Sequence, residues 1–150
     1  MKVMIAGGGT GGHVFPALAV AEEVRRRNPA NEILFVGTET GLEARVVPAA
    51  GYPLRTLPAA GVKGVSLTSK LRSLALVPRS LWGSHCLLRE FRPHAVFGVG
   101  GYASGAAMLT AALEGWPTVL FEPNAEPGLT NRLLAPWVRR AAVAHATTAA

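Results

Sequence analysis

The chain has 150 residues, 49% of them apolar and 16% charged, which suits one domain with its own core and excludes a disordered or low-complexity chain. Its one cysteine, Cys86, excludes an internal disulfide and a cysteine-rich metal centre, and no apolar run approaches the roughly 18–20 residues of a membrane span. A formal charge of +6 favours an anionic partner: a nucleotide, a nucleic acid or an acidic membrane surface.

In chain order, Lys2 to Ala6 reads as a strand, and Val14 to Arg27 as a helix burying Ala17, Leu18, Ala21 and Val24. Asn28 and Pro29 end that helix, and Glu32 to Val36 is the second strand. Gly41 to Ala50 is a short helix closed by Gly51, and Leu54 to Leu57 a third strand. Leu67 to Phe91 has helical periodicity, with an interruption expected at Pro78. Ala95 to Val99 is a strand leading into a glycine-rich turn over Gly98 to Gly105. A helix over Ala106 to Glu114, a strand over Thr118 to Phe121, a helix over Gly128 to Leu134 and a strand over Ala141 to Ala144 complete the series. Repeated βα units specify an α/β fold with a doubly wound parallel sheet. Ligands bind such sheets beyond the carboxyl ends of the strands, here at Gly7 to His13, Gly98 to Gly105 and Glu122 to Gly128. The amino terminus is a strand with one lysine and has no signal-peptide pattern, so a cytoplasmic setting is expected.

The first of these turns carries the most chemistry. Five glycines and Thr10 occupy Gly7 to Gly12, between a strand and a helix start, and His13 follows. Glycine lets backbone N–H groups approach a ligand, and a helix N-terminus adds unpaired N–H groups and a positive dipole end. A phosphate or diphosphate suits such a place, with the His13 imidazole in reach of it. The spacing Gly7-x-Gly9-x-x-Gly12 also matches a dinucleotide fingerprint, but Gly37 and Thr38 stand at the end of the second strand, where NAD binding calls for an acid, and Glu39 comes only after them. The chain has no aspartate; its nine acids are all glutamates. A Ser-His-Asp triad and an Asp-x-Asp metal motif are therefore impossible, a magnesium site built on glutamates stays open although the glutamates do not cluster, and a general base has to be a histidine or a glutamate. His85, His94 and His145 carry no motif, Trp82, Trp116 and Trp137 read as core or groove residues, and no nucleic-acid motif accompanies the positive charge.

Four segments, GGGTGGHVFPALAVA, GLEARVVPAAGYPL, GVGGYASGAA and EPNAEPGLTNRLLA, occur in order across the chain. Together they resemble the N-terminal domain of the MurG family of peptidoglycan N-acetylglucosaminyltransferases, two-domain enzymes of the GT-B type. The resemblance implies transfer of GlcNAc from UDP-GlcNAc to the undecaprenyl-linked muramoyl-pentapeptide, with inversion, without a cofactor or metal, at the cytoplasmic face of the bacterial plasma membrane. It implies His13 as the base that takes the proton of the acceptor 4-hydroxyl, with Glu122 as a rival. Thr10, Gly11, Gly12 and Asn124 resemble the family's contacts to the donor, and Gly100, Gly101, Tyr102, Ser104 and Gly105 suit the acceptor diphosphate. The family often reads His-Glu-Gln-Asn where this chain has Phe121-Glu122-Pro123-Asn124, so any role of the first or third residue is absent. Its second, donor-nucleotide domain has no counterpart in these 150 residues. Two other readings stay open: the non-catalytic membrane-anchoring half of a split lipid-linked GlcNAc transferase, and a dinucleotide-binding module.

The stretch Lys63 to Arg92 holds six basic residues against one acid, Glu90. Leu67, Leu71, Leu74, Leu81 and Leu88 form a core-facing stripe, whereas Leu76 and Leu87 point roughly the other way, flanked by Arg72 and Arg79. Apolar residues rimmed by arginine suit an anionic bilayer surface, and a lipid-anchored acceptor favours that role for Arg72, Leu76 and Arg79 over a solvated basic helix.

Overall fold

A computed structural model describes residues 1–58 and 67–149, with backbone alone for 67–75, Tyr102 and Ala149. Strands β1 (Lys2–Gly7), β2 (Glu32–Gly37), β3 (Leu54–Thr56), β4 (Ala95–Gly100), β5 (Thr118–Glu122) and β6 (Arg140–Val143) form one sheet in the order β3-β2-β1-β4-β5-β6. Every pairing is parallel. Helices α1 (Gly11–Arg27), α2 (Glu43–Ala49), α3 (Leu67–Phe91), α4 (Tyr102–Leu113) and α5 (Leu129–Leu134) join the strands. The doubly wound α/β fold read from the βα repeats is the fold the chain adopts.

Side-chain alternation along the strands builds a core on each face of the sheet. Val3, Ile5, Ile33 and Phe35 pack with Val14, Ala17, Leu18 and Ala21 of α1 and Val47 of α2. Met4, Ala6, Leu34, Val36 and Val96 pack with Leu88 of α3 and Met108 and Ala111 of α4. Each large side chain so buried contributes about 1.5–3 kcal/mol relative to exposure. The chain leaves β3 at one edge, crosses to β4 beside β1 and proceeds outward in the other direction. The sheet therefore reverses its winding between β1 and β4, and the loops after these two strands stand together at that switch point.

Two sequence expectations change. Helix α3 runs through Pro78 without interruption. Proline removes one backbone bond, but the turns on both sides stay helical, and Ser80 and Ser84 donate their hydroxyls to the carbonyls of Leu76 and Ser80. Helix α4 starts at Tyr102, four residues before the expected Ala106. The second glycine turn is consequently very short: Gly100 ends β4 with φ +102°, Gly101 precedes α4 with φ +88°, and Ser104 and Gly105 are helical.

Candidate active site

Between the loops after β1 and β4 lies a cleft of about 450 Å3, whose wall includes Thr10, His13, Thr38, Gly100, Gly101 and Asn131. His13 sits in the first turns of α1, half-buried. Its Nδ1 is 3.2 Å from the carbonyl oxygen of Gly8 and 3.3 Å from Oγ1 of Thr10. A carbonyl only accepts, so the Gly8 bond requires the proton on Nδ1, and in the neutral ring Nε2 then carries the lone pair. That nitrogen faces β4: a Cβ built on Gly100 would stand 3.1 Å from it. Gly101 is tighter still, because its Cβ would come within 2.5 Å of the Gly8 carbonyl oxygen. Only glycine at these two positions allows both the positive φ and the contact between the turns.

The other residues singled out in the sequence separate into distinct environments. Thr10, His13, Gly100 and Gly101 meet in the cleft. Gly11 and Gly12 form the first turn of α1, and Thr10 caps it with its backbone carbonyl, which accepts from the N–H groups of His13 and Val14. Ser104 is fully buried, and its hydroxyl stands 3.4 Å from the Gly100 N–H as an acceptor. Gly105 faces α5, where a Cβ would be 3.3 Å from Thr130 Cγ2. The Tyr102 side chain lies outside the described residues.

Glu122 ends β5 and is 5% exposed. Its carboxylate accepts from Asn124 N–H at 2.9 Å, Asn124 Nδ2 at 2.8 Å, Gly128 N–H at 3.0 Å and Asn131 Nδ2 at 2.8 Å. Burial pushes its pKa up, but the bonds from Asn124, Gly128 and Asn131 outweigh burial and hold it below the ordinary carboxylate value. The group is thus ionised, encircled by donors, and occupied in shaping the loop between β5 and α5. Asn124 is exposed and tied into this loop, and Asn131 is 4% exposed. With its amide nitrogen given to Glu122 and to the Phe121 carbonyl, Asn131 turns Oδ1 to the cleft, 3.3 Å from the position of a Gly100 Cβ. That oxygen is buried and has no hydrogen-bond partner among the described residues.

Two residues beside the site, Glu43 and Asn131, escaped the sequence reading. Glu43 is fully buried, and its carboxylate accepts from Gly9 N–H at 2.7 Å, Thr38 N–H at 2.8 Å and Thr38 Oγ1 at 2.7 Å. A Cβ on Gly8 or Gly41 would collide with that carboxylate, and one on Gly37 with the Glu43 Cγ, so three glycines clear the side chain's space. Burial pushes its pKa up, and the bonds from Gly9 and Thr38 more than reverse this. The available signal was an acid closely following Gly37 and Gly41 at the start of a helix whose strand ends beside the first glycine turn.

A second surface lies where α3 meets α4. Trp82 and Leu113 are 68% and 64% exposed, and Val77 and Arg79 are exposed beside them on α3. The Trp82 ring stacks on His85 at 5.3 Å, His85 Nδ1 is 2.7 Å from Glu114, and Trp116 Nε1 donates to Glu114 at 3.1 Å. Trp82 is therefore a surface residue and not the core or groove residue expected. Leu87 packs against the core, Leu76 is half-buried, and the Arg72 side chain lies outside the described residues.

The glycosyltransferase family 28 N-terminal domain matches residues 3–143. The chain belongs to this family. It is 56% identical over 138 residues to the UDP-N-acetylglucosamine–N-acetylmuramyl-(pentapeptide) pyrophosphoryl-undecaprenol N-acetylglucosamine transferase of Anaeromyxobacter sp. strain Fw109-5, covering 92% of this chain and 36% of that protein. It is 51% identical over 139 residues to the transferase of the same name from Myxococcus xanthus, covering 93% and 36%. The chain thus spans little more than a third of the length of these relatives. The crystal structure of Acinetobacter baumannii MurG superposes with a TM-score of 0.86 at 32% identity, over 98% of this chain and 42% of that one. A UDP-GlcNAc 2-epimerase from Neisseria meningitidis, at 15% identity and a TM-score of 0.71, shares the fold. Among the described residues of this family member, no helix is long and apolar enough to cross a membrane, and no group of three or more His, Cys, Asp or Glu could hold a metal ion.

Proposed function

We propose that this chain is the acceptor-side domain of an inverting, metal-independent GT-B transferase that moves GlcNAc from UDP-GlcNAc to the undecaprenyl-diphospho-muramoyl-pentapeptide. The observation that carries the reading is the His13 ring at the switch point, with Nδ1 bound to a carbonyl and Nε2 facing the cleft. The acceptor hydroxyl oxygen forms a bond to the anomeric carbon of GlcNAc as its proton passes to Nε2 of His13. The bond from that carbon to the diphosphate oxygen breaks, and UDP leaves with the electron pair. The names and identities of the relatives support the substrate pair.

Roles for the neighbouring residues follow from their positions. The first-turn N–H groups of α4, behind Gly101, suit the acceptor diphosphate, with Gly100 and Gly101 allowing its approach and Ser104 and Gly105 shaping the turn from within. Thr10 and the Gly11–Gly12 backbone stand at the donor side of His13. Glu122 and Asn124 act through the loop they hold together, and the saturation of the Glu122 carboxylate by four donors favours His13 over it as base.

The test is transfer of labelled GlcNAc to the lipid acceptor. The complete enzyme carrying this chain is expected to transfer it from UDP-GlcNAc with chelator present. Residues 1–150 produced alone are expected to show negligible turnover, because most uridine and phosphate contacts of a GT-B enzyme belong to its other domain. Turnover by residues 1–150 alone, or a requirement for added metal, would contradict the reading.

The α3–α4 surface supports docking on an anionic bilayer. Trp82, Val77 and Leu113 offer apolar contact, and Arg79 supplies charge worth about 1 kcal/mol near anionic lipid, whereas Arg89 is paired with Glu114 at 3.6 Å. Sedimentation with vesicles should show binding that rises with anionic lipid and falls with salt. Arg79→Glu combined with Trp82→Ser should reduce it at least tenfold with an unchanged circular dichroism spectrum. Equal binding of this double variant would remove the surface from the interface.

A further inference from the structure

The carbonyl of Gly8 and the N–H of Gly9 belong to a single peptide plane, and the two ends of that plane are gripped by different side chains. Glu43 Oε2 accepts from the N–H at 2.7 Å, and His13 Nδ1 meets the C=O at 3.2 Å. Glu43 is fully buried, pairs with no lysine or arginine among the described residues, and is enclosed by glycines at 8, 37 and 41. Gly101 closes on the same carbonyl from the other glycine turn, so the plane has little freedom to rotate. We propose that Glu43 is a positioning residue that acts on His13 through the Gly8–Gly9 peptide, a carboxylate–peptide–imidazole relay. This proposal rests on the reading of His13 as the base.

The physical reason is polarisation. A carboxylate accepting from one end of a peptide group draws electron density toward the carbonyl at the other end, and hydrogen bonds in such chains strengthen one another by about 10–30% each. A more negative Gly8 oxygen holds the Nδ1 proton more firmly. That fixes the tautomer, leaves Nε2 as the basic atom, and favours the positive charge that develops on the ring as it takes the acceptor proton. An aspartate beside a catalytic histidine does the same by direct contact; here one peptide plane separates the two. The same arrangement explains an apparent waste. A glycine turn at a helix start is suited to anions, yet Gly9 N–H is taken by a buried anion. The glycine loop ahead of α1 is therefore closed to phosphate at that N–H and committed to orienting the histidine.

The experiment uses the complete enzyme carrying this chain, labelled with 15N in its histidines and, in a second sample, in its glycines, the His13 signals being assigned by their loss in His13→Gln and the Gly9 amide by backbone assignment. In the wild type, Nδ1 of His13 should be protonated and Nε2 bare. In Glu43→Gln, the ring should shift toward the Nε2–H tautomer. The kcat should fall on the order of tenfold to a hundredfold, less than the loss of the base itself, with KM for both substrates within about threefold. In a His13→Ala background, Glu43→Gln should add nothing. Because polarisation runs both ways, the Gly9 amide proton should move upfield in His13→Ala, a measurement that holds even if Glu43→Gln does not fold. An Nε2–H tautomer in the wild type, an unmoved Gly9 amide, or full additional loss in the double variant would overturn the relay. If His13→Ala retains its kcat, the base assignment fails, and the tautomer and amide shifts still decide the relay by themselves.

Discussion

Replacing His13 with alanine in the complete transferase is expected to lower kcat by about a hundredfold or more, the scale of a positioned general base. The imidazole is held at both faces of its chemistry: Nδ1 bound to the Gly8 carbonyl, Nε2 toward the cleft beside Gly100. Alanine removes the proton acceptor without touching the backbone of α1, whose first bonds run from His13 and Val14 N–H to the Thr10 carbonyl. The KM for the lipid acceptor should therefore change by less than about fivefold, a pattern that marks an interaction made in the transition state. Steady-state kinetics at saturating UDP-GlcNAc measure both quantities. A kcat within threefold of the wild type would remove His13 from the chemistry, and a collapse of kcat in Glu122→Gln at unchanged stability would transfer the role there.

Glu122→Ala is expected to have the largest effect on stability, about 2–4 kcal/mol. The carboxylate satisfies Asn124 N–H, Asn124 Nδ2, Gly128 N–H and Asn131 Nδ2. Removing it strands these donors at about 1–3 kcal/mol for each that stays buried. Asn124 and Gly128 are exposed and can turn to water, whereas Asn131 is buried, which sets the estimate below the full sum. The melting temperature should drop by about 10 °C. The pH dependence follows from sign. The folded-state pKa of Glu122 is lowered, so its contribution is complete above the unfolded carboxylate value near about 4.3 and is lost as pH falls through the folded value. The gap between wild type and Glu122→Ala should therefore be constant from pH 6 to 8, on the order of 2–4 kcal/mol, and should narrow below about pH 4. A gap that stays constant into the acid range would show that the loop is held by something other than the ionised carboxylate.

The sequence by itself determined the sheet, because short continuous apolar runs alternating with helical runs leave one topology class. It also singled out both glycine turns and His13, because glycine clusters at strand ends and a following histidine are local patterns. The absence of aspartate, a matter of counting, narrowed the choice of base before any geometry. The start of α4 was misplaced by four residues because glycine-rich sequence reads as a turn, whereas two successive glycines at positive φ, Gly100 and Gly101, complete the turn and let the helix begin at Tyr102. Only the tertiary structure decided the state of each titratable group. Glu43 and Glu122 look like ordinary surface acids in the chain, yet each becomes a buried anion once the fold closes donors around it: Gly9 reaches Glu43 across 34 positions, and the loop from Asn124 to Asn131 wraps Glu122. Asn131 likewise acquires a free buried oxygen only when β5 and α5 place its amide against Glu122. Local patterns are set by neighbours in the chain, which a sequence displays. Charge state, orientation and burial are set by neighbours in space, which appear only once the strands and the loops that follow them are packed together.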